Sequence, residues 1–276
     1  EEPAYYRPSH RVRRLLSIAA AFTGFLLFSW WGVQRLRNQH RAPVAARIET
    51  VAKPGAKSRL LLPDGSIVWL NSGSRISYPA SFTDSLREVE LEGEAYFDVA
   101  KNPEQPFIVH TRDINIKVLG TAFNVKCYPG DNKTEATLVR GLIQVSKNSN
   151  HEVLLLHPHE KVVINRIEEV IPANTAAAAP AAMVIKHLKK NAADTAMVET
   201  AWVYNKLVFD GEDFREISNE MERWFNVKVS FNDSSVARYR FHAKFENENI
   251  DEVLSALRLS LPFTYKINNN EVNIYK

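Results

Sequence analysis

The sequence predicts one transmembrane helix, then an all-β domain, then a small α+β domain, and three observations carry that prediction. Leu15 to Val33 contains no charged residue, Val89 to Val99 alternates apolar with polar side chains, and beyond Trp202 strand-like alternation gives way twice to helical spacing.

The uncharged run holds nineteen residues, marked by Leu15, Phe22, Phe25, Leu27, Trp30, Trp31 and Val33. At about 1.5 Å per residue it makes a helix of about 28 Å, close to the ~30 Å hydrocarbon core of a bilayer. Its only breaks are small or hydroxylated residues (Ser17, Thr23, Gly24, Ser29, Gly32), which a helix in lipid tolerates. A helix of a soluble core would show a polar stripe, and a cleaved signal peptide would have an apolar region of only ~7 to 15 residues with a small-residue cleavage site after it. Neither pattern is found. Trp30 and Trp31 at one end, with Tyr5 and Tyr6 before the other, suit membrane interfaces. Arg7, Arg11, Arg13 and Arg14 precede the run and Arg35, Arg37, Arg41 and Arg47 follow it, so basic flanks leave its orientation open. The chain opens on Glu1 without a methionine, as a piece of a longer protein would.

The charge is placed unevenly. Of 35 basic and 32 acidic residues, residues 1–50 take 8 arginines and 3 acids, leaving 27 against 29 for the rest. The basic excess therefore flanks the membrane run and makes no nucleic-acid-binding face. A single cysteine, Cys127, excludes an intrachain disulfide and a cysteine-rich metal site.

Residues 34–58 are polar, basic and dotted with proline and alanine, and read as a juxtamembrane tether. The all-β domain is expected over 59–170. Leu60-Leu61-Leu62 and Ile67-Val68-Trp69-Leu70 flank the turn residues Pro63-Asp64-Gly65. In Val89–Val99, Val89, Leu91, Gly93, Ala95, Phe97 and Val99 make an apolar face opposite Glu88, Glu90, Glu92, Glu94, Tyr96 and Asp98, with Gly93 expected at a bend or bulge. Short strands should follow at 107–111, 114–119, 122–126, 136–140, 142–146, 153–156 and 162–165, separated by turn-formers such as Pro129-Gly130-Asp131-Asn132. Residues 171–200 read as an Ala/Pro-rich linker with a short helix at 183–190.

The module over 201–276 should run strand, helix, strand, strand, helix, strand, strand. Val203–Phe209 alternates, and Asp213 with Glu216 and Asn249 with Glu252 have the spacing of helix starts. Phe214, Ile217, Met221 and Trp224 share one face of the first helix, and Ile250, Val253, Leu254, Leu257 and Leu261 one face of the second. Strands at 227–231, 239–245, 263–267 and 272–275 would make a short sheet with the helices on one face.

No spacing assigns catalytic roles. The row Glu88, Glu90, Glu92, Glu94 lies on one side of a strand and reads as a solvated face, where a glycosidase or calcium site needs carboxylates converging on a point. His157-Pro158-His159 with His151 lacks the spacing of a metal site, so neither a metal nor a cofactor is expected. The residues alone describe a membrane-tethered pair of binding modules.

Several stretches closely resemble the FecR-type transmembrane anti-sigma factors: Leu62-Pro63-Asp64-Gly65-Ser66, Val68-Trp69-Leu70-Asn71, Ser74-Arg75-Ile76-Ser77-Tyr78-Pro79, Arg87 through Val99, Pro106-Phe107-Ile108-Val109, and Leu119-Gly120-Thr121-Ala122-Phe123-Asn124-Val125. Pro63, Asp64, Gly65, Gly93, Glu94, Phe97, Gly120, Thr121 and Phe123 carry the resemblance as structural motif residues. Asn205-Lys206-Leu207-Val208-Phe209 and Phe214-Arg215-Glu216-Ile217 look like the secretin/TonB short-domain relative that follows in Bacteroidetes-like members. The resemblance implies a single-pass inner-membrane protein with the bulk of the chain periplasmic. It also implies a regulatory role without enzymatic activity, in which a TonB-dependent outer-membrane transducer signals through the periplasmic modules to an extracytoplasmic-function sigma factor, and regulatory proteases cleave in and near the span. On that topology residues 1–14 are a remnant of the cytoplasmic sigma-binding region. His159 stands where relatives often place glycine. The competing reading is an envelope carbohydrate-binding or structural anchor protein.

Overall fold

The computed structural model describes residues 23–32, 34–35, 46–166, 183–188 and 197–276. Of the expected span, Leu15, Phe22 and Val33 lie outside the described residues, while 23–32 are helical and include Phe25, Leu27, Trp30 and Trp31. No helix among the described residues is long and apolar enough to cross a membrane. Residues 1–46 and 47–276 are separate compact units.

The second unit begins with thirteen strands: β1 (Arg47–Val51), β2 (Ser58–Leu61), β3 (Ile67–Leu70), β4 (Arg75–Pro79), β5 (Arg87–Asp98), β6 (Phe107–His110), β7 (Ile114–Val118), β8 (Ala122–Cys127), β9 (Lys133–Arg140), β10 (Ile143–Lys147), β11 (Val153–Leu156), β12 (Glu160–Asn165) and β13 (Met183–His187). They form two leaves that share β5. One runs β1-β4-β5-β6-β7-β10-β11 and the other β2-β3-β5-β8-β9-β12-β13. The first half of β5 pairs with β4 and with β6, the latter in parallel, and the second half pairs with β3 and β8. The switch falls at Gly93, whose φ of 104° turns the strand from one leaf into the other. Both leaves turn their alternate apolar residues inward, so Ile76, Val89 and Ile116 share a core with Phe97, Phe123 and Leu138. Burying that face away from water is what fixes the register.

Several expectations need correction here. β1 lies within the stretch read as tether. Its residues are mostly exposed and it is held by backbone pairing with β4 and by the ion pairs Arg47–Glu90 (3.2 Å) and Glu49–Arg75 (3.4 Å), so it shows no inward alternation. Residues 183–187 form β13, an edge strand on β12, and not a helix; residues 167–182 and 189–196 of the linker region lie outside the described residues. The expected row of solvated acids holds for Glu88, Glu90 and Glu92, but Glu94 is buried, 6% exposed. His159, at φ 68°, adopts the left-handed conformation that suits a glycine turn, and its N–H donates to the Leu138 carbonyl.

Beyond a 3₁₀ turn (Val198–Tyr204), β14 (Lys206–Asp213) starts three residues later than expected, because Asn205 closes the turn in a left-handed conformation. Helix α1 (Phe214–Phe225) is capped by Asp213, which accepts from the Glu216 N–H, and α2 (Ile250–Ser260) opens on a reciprocal Asn249–Glu252 capping box. β15 (Lys228–Phe231), β16 (Arg240–Glu246), β17 (Thr264–Asn268) and β18 (Glu271–Tyr275) complete the chain. One short sheet was expected. The strands instead divide into a β14–β16 antiparallel pair and a β15-β18-β17 sheet in which β15 runs parallel to β18. Phe214, within 5.0–5.3 Å of Phe241, Phe263 and Phe231, sits at the centre of their common core.

Candidate functional site: a polar junction between two modules

The motif residues sort into three places. Pro63, Asp64 and Gly65 make the β2–β3 turn, closed by Gly65 N–H to the Leu62 carbonyl at 3.0 Å. Gly120 and Thr121 lie nearby, where a Cβ on Gly120 would stand 2.6 Å from the Lys101 Cα and the Thr121 carbonyl accepts from Val99. Phe97 and Phe123 stack in the core at 5.0 Å. Gly93 and Glu94 lie elsewhere, at the bend of β5, and there the β-sandwich meets the C-terminal module.

Glu94 is the centre of that junction. Its two carboxylate oxygens accept from Asn71 Nδ2 (2.8 Å) and Asn124 Nδ2 (2.9 Å), and its N–H donates to Ser74 Oγ (2.8 Å). Asn124 in turn accepts from Trp202 Nε1 (3.1 Å), which ties the 3₁₀ turn to β8. Ser74 donates to the Tyr128 hydroxyl (3.2 Å), which donates to the Ser72 carbonyl (2.8 Å). No buried side-chain nitrogen or oxygen of this network is without a hydrogen-bond partner, as burial demands.

Helix α1 supplies the other half. Glu216, Glu220 and Arg223 fall on one stripe of the helix, four and three residues apart. Each meets an opposite charge on the sandwich: Lys133–Glu216 at 3.2 Å, Lys126–Glu220 at 3.3 Å and Arg223–Asp131 at 2.9 Å. The Arg223 guanidinium also lies 3.9 Å from the Tyr128 ring centroid, and Lys57 Nζ lies 3.6 Å from that of Trp224. Lys57 further donates to the Trp202 carbonyl (2.9 Å) and to Asn205 Oδ1 (3.1 Å), and Lys161 pairs with Glu199 at 2.8 Å.

Burial pushes the Glu94 carboxyl above its ordinary value, opposed by Lys126 and by the Asn124 and Asn71 amides. Burial pulls Lys126 down, but the carboxylates of Glu220 and Glu94 more than offset it and hold the amine above its usual range. A raised carboxyl means that, from 4.5 up to its folded-state value, the folded protein binds more protons than the unfolded chain. Glu94's contribution is therefore complete below that window and is lost as pH rises through it. The stability of wild type minus that of Glu94→Gln should fall with pH there, by up to about 1.4 kcal/mol per pH unit. Urea unfolding of both proteins from pH 4 to 8 checks this, and parallel stability curves would contradict it.

Of these residues the motif reading held only Gly93 and Glu94. Asn71, Ser74 and Asn124 lie in the family-like stretches, where nothing local marks them as junction residues; Asp131 reads only as a turn-former, and nothing in the sequence sets Lys126, Lys133, Glu220 or Arg223 apart from other charged residues. The one local signal was the i, i+4, i+7 spacing on α1, which exposed helices share. His157 and His187 flank Glu160 at 3.4 and 3.3 Å on the surface.

The arrangement is a docking interface, and similarity to known proteins places both modules that it joins. The family described as FecR protein matches residues 47–144, and the one described as FecR, C-terminal matches residues 206–274. No curated protein matches the chain significantly in sequence. Two crystal structures of a candidate anti-sigma factor from Parabacteroides distasonis are 28% identical to it, with a TM-score of 0.73. The matches cover 84% and 83% of this chain and 99% of each solved chain. With both halves of the junction matched in order and the whole solved chain superposable on it, the protein belongs to the FecR-type anti-sigma factors.

Proposed function

We propose that the protein is a single-pass inner-membrane anti-sigma factor whose residues 47–276 stand in the periplasm. An N-terminal cytoplasmic region, of which residues 1–14 are the remnant, contacts an extracytoplasmic-function sigma factor, and the periplasmic modules receive the signalling domain of a TonB-dependent outer-membrane transducer, with regulatory proteases completing the relay. The observation that carries the membrane half of this reading is the helical stretch 23–32. Phe25, Leu26, Leu27, Phe28, Trp30 and Trp31 are all more than half exposed there, pointing around the helix within the uncharged run 15–33. So much uncovered apolar surface has lipid as its natural cover. Expressed with a C-terminal tag, the chain should pellet with membranes and lose its tag to protease added to spheroplasts. A soluble chain, or a tag that survives until the membrane is broken, would overturn the topology. Co-purification of the full-length protein, with its N-terminal cytoplasmic region, with a sigma factor from detergent extracts tests the cytoplasmic half.

The transducer would meet the sheet edges of the C-terminal module that are unpaired among the described residues. β15 and β17 are the outer strands of one sheet and β16 borders the other, so a strand of the signalling domain can extend either by main-chain hydrogen bonds. A proline placed in turn in β15, β16 and β17 should weaken transducer binding at least tenfold in one case, about 1.4 kcal/mol. Unchanged affinity in all three, measured by calorimetry, would rule out strand pairing.

A further inference from the structure

The two modules have separate cores. The apolar cluster of the sandwich and that of the C-terminal module share no residue, and Tyr128 and Trp202, buried between them, belong to neither. Besides these two rings, the contacts between the modules among the described residues are mainly charged and polar: three ion pairs along one stripe of α1, two cations over aromatic rings, and a main-chain bond from Gly55 N–H to the Arg223 carbonyl at 2.8 Å. Such pairs give up hydration to form, so an interface made of them is exchanged for water at far lower cost than an apolar weld.

The 3₁₀ turn belongs mechanically to the sandwich. Glu199 pairs with Lys161, the Trp202 indole donates to Asn124, and the Trp202 carbonyl accepts from Lys57. The next residue but two, Asn205, is left-handed (φ 61°), and β14 begins directly after it. The chain thus has an anchored segment, one residue of distinct backbone conformation, and then a module with its own core. Those are the parts of a hinge.

We infer that α1 is an electrostatic latch. The C-terminal module, residues 206–276, swings about Asn205 as a folded body when the Glu216–Glu220–Arg223 stripe leaves Lys133, Lys126 and Asp131. Release uncovers two complementary charged surfaces: the stripe on α1, and on the sandwich the patch of Lys126, Tyr128, Asp131 and Lys133 that it covers. In the docked state each occupies the other, an autoinhibitory contact in cis. The side chains of these ion pairs keep 10% to 36% of their surface exposed, so rising ionic strength favours release, less steeply than for fully exposed pairs. The inference rests on the junction alone and stands or falls independently of the membrane and transducer reading above.

The test measures the distance between spin labels at Lys117→Cys on β7 and Ala256→Cys on α2, both exposed, in the full chain carrying Cys127→Ala. Wild type should give one narrow distance. Arg223→Glu should lower the docked-to-released ratio at least tenfold and broaden the distribution, and Arg223→Glu with Asp131→Arg should restore the narrow one. Glu220→Lys, alone and with Lys126→Glu, gives a second swap should the first pair fold poorly. Far-ultraviolet circular dichroism should be unchanged throughout. An unaltered narrow distance in both single reversals would overturn the latch, because the junction would then be a rigid weld. Loss of the C-terminal module's secondary structure together with docking would overturn it too, because the module would then not be a separate folded body.

Discussion

Gly93→Ala should destabilise the β-sandwich by about 2 to 5 kcal/mol, the sum of positive-φ strain and an overpacked contact. For a folded unit of this size that lowers the midpoint of thermal unfolding by about 10 °C. At φ 104° the backbone is in a region that a residue with a Cβ rarely adopts, and the added carbon would stand 2.4 Å from Ser74 Oγ and 2.7 Å from the Ser74 Cα. The hydroxyl could rotate away, but the Cα is backbone and cannot. Moving Ser74 would also break its bonds to the Glu94 N–H and to Tyr128, so the damage would spread from the bend of β5 into the junction. Gly65 provides the control: its φ is 83°, but an added Cβ would have nothing within 4 Å. Gly65→Ala should therefore cost only the backbone term, about 1 to 2 kcal/mol. If the two substitutions prove equally costly in thermal or urea unfolding, the close approach of Ser74 to β5 is not what requires glycine at the bend.

The contrast between these glycines marks what a sequence can and cannot disclose. Both were legible as turn or bend positions, from Pro63-Asp64-Gly65 between two apolar runs and from a glycine interrupting an alternating strand. Which of them is pressed against another strand was not, because Ser74 comes from a separate part of the chain. The same limit explains the acid row on β5. A period of two places Glu88, Glu90, Glu92 and Glu94 on one side, and for three of them that side is exposed. The cover over Glu94 is assembled from Asn71, Asn124 and Trp202, residues 23 to 78 positions apart in their pairings, and no local pattern announces it.

Helix α1 was half legible. Its apolar face was plain from Phe214, Ile217 and Met221, all buried as expected. Its charged face looked like a surface helix, yet it is the docking face, because ion pairs across a junction and ion pairs with water-facing neighbours use the same residues at the same spacing. β1 and β13 escaped for a related reason. Both are edge strands whose side chains are almost all exposed or half-buried, so the inward alternation that reveals a strand is missing while the main-chain ladder remains.

Arg87→Ala should cost the sandwich about 3 to 5 kcal/mol, the usual penalty for removing one partner of a buried ion pair. Arg87 is fully buried at the first residue of β5. Its Nη1 donates to Asp64 Oδ2 at 2.6 Å and to the Ala100 carbonyl at 2.9 Å, and its Nε donates to the Gln105 carbonyl at 2.7 Å. One guanidinium thereby fastens the β2–β3 turn and the 100–105 loop to the start of the central strand. Asp64 is itself tied down by the Ser66 N–H and hydroxyl, and the Ser66 hydroxyl accepts from Ala100 N–H at 3.0 Å, so turn and loop also touch directly. Arg87→Lys should recover only part of the loss, since an ammonium on a flexible stem cannot meet three fixed acceptors as a planar fork does. Asp64→Asn keeps the shape and removes the charge, leaving the buried guanidinium with carbonyl acceptors alone. A double-mutant cycle between Arg87→Ala and Asp64→Ala should then give a coupling of about 1 to 3 kcal/mol in urea unfolding. If the two losses simply add, Arg87 acts through the loop carbonyls, and the turn that the motif residues Pro63, Asp64 and Gly65 define owes its position to the Ser66–Ala100 contact instead.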